Sequence, residues 1–94
     1  MGKRVDFQRA LEEISGKDAS LSPATLQALS DSTRDEGERF AACLCALDGA
    51  QRCDIVQRMV TAAEESFALD YAVLFRHCLS DADSRVRRLA IEGL

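Results

Sequence analysis

The chain has 94 residues, of which 47% are hydrophobic, 30% charged and only 5% aromatic, with one Pro, five Gly and a formal charge of −4. That balance is the composition of a folded globular chain, not a disordered one. It leaves too few turn-forming residues for a many-stranded β-sandwich or barrel, and its acidic sign disfavours a nucleic-acid-binding surface.

Periodicity predicts six helical segments. The first runs over about Val5–Ser15, where Phe7, Ala10, Leu11 and Ile14 form one apolar stripe at i, i+3, i+4, i+7. Gly16 suits its C-terminal end, and Glu13 and Lys17 stand at the spacing of a favourable ion pair. The second, about Pro23–Ser30, has Ser22 as N-cap and Pro23 at the first helical position, with Leu21 and Leu26 at hydrophobic-staple spacing. The third spans about Arg34–Leu47. Thr33 and Glu36 form a capping-box pattern, and Phe40, Cys43, Leu44 and Leu47 share a face. The fourth follows Asp48, with Gln51 three residues on. Its stripe of Cys53, Val56, Val60, Ala63 and Phe67 is widened by Ile55 and Met59, a width that predicts two packing neighbours. The fifth starts near Asp70, with Leu69 and Leu74 at staple spacing and Tyr71, Leu74, Phe75, Cys78 and Leu79 as its apolar face. The sixth starts near Asp83 and carries Val86, Leu89, Ala90, Gly93 and Leu94. Its apolar pattern still runs at Leu94, which predicts a fragment of a longer protein.

No run approaches the ~20 apolar residues of a membrane span. No apolar stretch follows the charged start Met1–Asp6, and Asp6 breaks the myristoylation pattern that Gly2 would open. The expected compartment is the cytoplasm, where Cys43, Cys45, Cys53 and Cys78 stay reduced. Cys43-x-Cys45 is not a zinc knuckle, and helical residues two apart, like the adjacent His77 and Cys78, diverge too far to share one ion. Packing is the expected role of these thiols. Cys45, off the apolar stripe, is the one expected at the surface.

The segment Leu79–Leu94 reads L-x-D-x-D-x-x-V-R-x-x-A-x-x-x-L. It resembles the turn and second helix of a HEAT repeat, with the first helix at Leu69–Ser80, although Ser84 stands where that family often has Pro. The resemblance implies an all-α fold in which HEAT-like hairpins stack as a short right-handed α-solenoid. Residues 1–31 would be an N-terminal helical cap, 32–68 a divergent hairpin and 69–94 the HEAT-like hairpin, all within one domain. It further implies that Asp83 and Arg87 bond between neighbouring repeats, and that Val86, Ala90 and Leu94 form an exposed C-terminal packing face.

HEAT-type repeats are usually scaffolds, so the expected function is a non-catalytic protein–protein interaction module. Its partner would be a protein or peptide, or a second copy through dimerisation or helix exchange. No catalytic residue, metal or cofactor is expected: one His, no nucleophile elbow and no phosphate loop are present, and the adjacent Glu64 and Glu65 diverge on a helix. A nucleic-acid-binding module using Arg85 and Arg88 is the alternative, with Lys3, Arg4 and Arg9 as a basic edge. Against it, residues 10–79 carry six basic and twelve acidic side chains. A death-fold-like adaptor bundle is a further all-α alternative.

Overall fold

A computed structural model describes residues 2–16 and 21–94, with side chains from Phe7 onward. Lys17 of the expected Glu13–Lys17 pair lies outside the described residues, and so do the side chains of the expected Lys3–Arg4 edge. Six helices are present and no strand is found among the described residues: α1 (Gly2–Ile14), α2 (Pro23–Leu29), α3 (Arg34–Cys45), α4 (Gly49–Glu65), α5 (Ala72–Cys78) and α6 (Ser84–Gly93). None is long and apolar enough to cross a membrane.

The starts of the helices follow their local chemistry. Ser22 Oγ accepts from the Thr25 N–H at 3.2 Å, with Pro23 in the first turn of α2. Thr33 and Glu36 close a reciprocal capping box on α3 at 3.2 and 2.8 Å. Asp48 and Gln51 do the same for α4 at 2.8 and 3.3 Å. Each box satisfies two N–H groups that a helix start leaves without partners.

α5 departs from expectation by starting at Ala72. The Asp70 backbone is engaged elsewhere: its N–H donates to Ser30 Oγ at 2.9 Å, and its carbonyl accepts from the Asp31 N–H at 2.8 Å. Asp31 sits at φ 56°, a left-handed position that Asp tolerates. These bonds, with Tyr71 Oη donating to Leu26 O at 2.6 Å, tie the end of α2 to the start of α5.

α3 packs along α5 and α4 along α6, while α5 also meets α6. α1 packs on α2 and α3. The odd-numbered helices therefore form one row, α1, α3, α5, and α4 lies beside α6 in another. The predicted stripe of α1 is buried to the last residue. Three of the four Phe, at positions 7, 40 and 75, are at most 1% exposed, so the few aromatics anchor the core. The fourth corrects the expected α4 stripe. Phe67 lies in the turn after α4 and is fully exposed, because the helix ends at Glu65 before the stripe reaches it.

Two glycines permit the close approaches. A Cβ on Gly93 would stand 2.4 Å from Phe75 Cε2, and one on Gly37 2.8 Å from Val73 Cγ1. Arg39 adds a link between α1 and α3, its guanidinium 5.5 Å from the Phe7 ring centre while it also bonds Gln8.

Candidate functional site

The ends of α3 and α5 and the α5–α6 turn enclose a groove of about 400 Å³. α3 contributes Ala41, Leu44 and Cys45, α5 contributes His77 and Cys78, and the turn contributes Ser80, Asp81 and Ala82; Arg52 reaches in from α4. Leu44 and Cys78 are buried, whereas Cys45, Ser80 and Ala82 are exposed. The groove thus has an apolar floor and a more polar rim.

Arg52 organises that rim. Its Nε donates to both carboxylate oxygens of Asp81, at 2.9 and 3.2 Å, and its Nη2 to Asp81 Oδ1 at 3.1 Å. Its Nη1 donates to the Leu47 carbonyl at 2.7 Å. One guanidinium therefore pins the turn before α4 to the turn before α6. Its pKa is raised, first by the hydrogen bond to Asp81. Asp81 Oδ1 also accepts from the Asp83 N–H at 2.8 Å. No buried side-chain polar atom lacks a partner among the described residues.

The thiols divide as their positions predict. Cys45 is exposed and Cys78 buried, with Cys43 and Cys53 between. Burial, and secondarily Asp81, pushes the Cys78 thiol up to about 12, which keeps it protonated. Among the described residues no group of three or more His, Cys, Asp or Glu side chains is arranged to hold a metal ion. Chemically the groove offers an apolar slot whose neighbouring charges are already paired, an arrangement suited to receiving a nonpolar side chain.

Asp83 caps α6, accepting from the Arg85 N–H at 2.8 Å, and its carboxylate also holds the Arg85 guanidinium at 2.8 Å. Those bonds pull its pKa down to about 2. Arg87 Nη1 donates to the Asp81 carbonyl at 2.6 Å, inside its own turn. The side-chain pair that crosses between turns is Arg52–Asp81, and neither of these residues is among those the resemblance selects. The expected exposed face needs correction too. Val86 and Ala90 are fully buried because they point into the contacts of α6 with α4 and α5; of the three, only Leu94 is exposed.

A signal for Arg52 was present in the sequence. Asp48-x-x-x-Arg52 and Asp83-x-x-x-Arg87 are the same pattern, each Asp capping a helix and each Arg turning back to a carbonyl ahead of that cap. The row of odd-numbered helices repeats as well: Phe7-x-x-Ala10-Leu11, Phe40-x-x-Cys43-Leu44 and Phe75-x-x-Cys78-Leu79.

No protein-family profile, curated protein or solved structure matches this chain.

Proposed function

We propose that the chain is a non-catalytic, cytoplasmic protein-recognition module. In this reading it is a short HEAT-type α-solenoid, with α1–α2, α3–α4 and α5–α6 as successive helix pairs. The groove beside Arg52 and Asp81 receives an apolar segment of a partner protein. The observation that carries the reading is the recurrence of F-x-x-[AC]-L on α1, on α3 and across the end of α5, the three helices that form one row. One signature repeated along a row of touching helices is the mark of stacked units. The Arg52–Asp81 pair, joining equivalent turns, supports it further.

The other readings draw less support. Arg85 is engaged by Asp83, which leaves a nucleic-acid surface Arg88 alone on the outer side of α6, in a chain of charge −4. A death-fold-like bundle gives no reason for a repeated signature on alternate helices.

Selection of peptides from a displayed library against the full chain tests the proposal. Ala41 lines the groove from α3, so Ala41→Trp fills it. Selected peptides are expected to carry a large apolar residue and to bind Ala41→Trp about tenfold more weakly or worse. Peptides that bind both proteins equally, or a salt-sensitive gel shift with random-sequence DNA or RNA that no peptide displaces, would overturn it.

A further inference from the structure

Four large apolar side chains are exposed among the described residues. Leu79, Ile91 and Leu94 keep part of their surface covered, at 38%, 65% and 54% exposure, whereas Phe67 is fully exposed. Phe67 stands in the turn that joins α4 to α5, between the small residues Ser66 and Ala68. No bulky neighbour in that turn limits how closely the ring can approach another surface. A ring left wholly in water gains from any apolar cover it finds.

The groove beside Arg52 and Asp81 is the complementary feature. Its floor, Leu44 and Cys78, is buried and apolar. Its volume of about 400 Å³ lies at the small end of ligand pockets, ~300–1,000 Å³, a size for one ring. The ring of the same chain cannot enter it. Arg52, which lines the groove, and Phe67 belong to opposite ends of α4, and the stretch from Arg52 to Glu65 alone rises about 20 Å.

The charges agree with the shapes. Residues 64–70 carry Glu64, Glu65 and Asp70 and no basic side chain. At the groove Arg52 and Asp81 neutralise each other, and the last turn of α5 brings Arg76 and His77. Arg76 is exposed and forms no ion pair among the described residues. Glu38, one turn ahead of Ala41 on α3, has Arg34 four residues before it.

We infer that the chain associates with a second copy of itself, the Phe67 turn of one copy seated in the groove of the next. The inference deepens the recognition reading and rests on the groove that reading uses: the apolar segment received there is residues 64–70 of another copy. Ring and groove lie at opposite ends of α4, so each contact leaves one ring and one groove unfilled. The assembly is therefore head-to-tail and grows with concentration unless it closes on itself. A contact made by one turn is small, which sets a dissociation constant of about 0.1–1 mM. While it lasts, the groove is closed to other proteins.

Sedimentation equilibrium of the full chain and its variants tests this. The weight-average mass should rise with concentration up to about 1 mM. Phe67→Ala and Ala41→Trp should each lower the association constant about tenfold or more. Phe67 is exposed, so its replacement should leave the melting midpoint unchanged. Ala82→Trp, at an exposed position on the groove rim, is a second block should Ala41→Trp fail to fold. Mixing decides the arrangement. A groove-blocked chain still offers its ring and Phe67→Ala still offers its groove, so a one-to-one mixture should form a dimer that grows no further. With the Phe67→Ala chain isotope-labelled, the shift changes should fall on Leu44, Cys45, His77 and Ser80. Adding Arg76→Glu to that chain should weaken the pair about threefold. A parent chain that stays monomeric throughout would overturn the inference. So would association that survives both substitutions, or a loss that mixing does not restore, the mark of a symmetric contact. Peptide selection against Phe67→Ala separates the two readings. Groove-binding peptides together with a monomeric parent keep the recognition reading and end this inference; no such peptide, with association restored on mixing, does the reverse.

Discussion

Arg52 satisfies a carbonyl of the turn before α4 and a carboxylate of the turn before α6 with one planar group, a geometry a Lys ammonium would not reproduce. Its side chain is 14% exposed and that of Asp81 11%. The pair therefore stands between surface ion pairs, worth under about 1 kcal/mol, and buried pairs, whose breakage costs about 3–5 kcal/mol. Arg52→Met and Asp81→Asn should each lower unfolding stability by about 1–3 kcal/mol, with a double-mutant coupling above about 0.5 kcal/mol in urea denaturation. Additive losses would show that the two residues act separately. Asp83 gives a pH signature. Hydrogen bonds from the Arg85 side chain, then from its backbone, hold the carboxyl at about 2, below the ~3.9 of an unfolded chain. Its contribution is whole above about pH 4 and is lost as pH falls through about 2. Asp83→Asn keeps a good helix cap but cannot titrate. Its urea midpoint should fall less steeply than the parent's between pH 4 and 2, and parallel curves would contradict the assignment.

Among the elements, the helix starts were legible because caps are local. Ser22, Thr33 and Asp48 each bond a backbone N–H three residues away, a spacing visible in the sequence. The start of α5 was not legible, because Asp70 gives its backbone to Ser30 and Asp31, forty residues earlier in the chain. The end of α4 is hidden for a related reason. Periodicity carries Phe67 into the stripe, but nothing periodic announces that the helix stops at Glu65. Helix crossings were equally hidden, and two glycines now expose them. Gly93→Ala would drive a methyl into the Phe75 ring, itself 1% exposed and held by the core, and should cost about 1–3 kcal/mol. Gly37→Ala meets the ends of Val73 and His77, which are only half-buried. Their movement, with the ~1 kcal/mol that Ala gains over Gly inside a helix, should leave that variant close to the parent in thermal melts.

At the scale of the whole molecule, the all-α class and the number of helices follow from composition and periodicity, whereas the order of packing does not. Contacts between α3 and α5, or α4 and α6, join helices that are not consecutive, and no single apolar stripe names its partner. The information was nonetheless in the chain, as F-x-x-[AC]-L on alternate helices and D-x-x-x-R at two caps. It escapes a helix-by-helix reading because the first interval, Phe7 to Phe40, is 33 residues and the second, Phe40 to Phe75, is 35. The second helices do not repeat as clearly either: α2 has 7 residues against 17 in α4. The groove was illegible for the same reason, since its walls come from α3, α4, α5 and a turn. The proposed recognition role is tested most directly by adding a selected peptide to isotope-labelled chain and mapping the chemical-shift changes. The account predicts that the largest changes fall on Ala41, Leu44, Cys45, His77 and Ser80, and that they vanish in Ala41→Trp. Largest changes on α1 and α2, or changes that persist undiminished in Ala41→Trp, would contradict it.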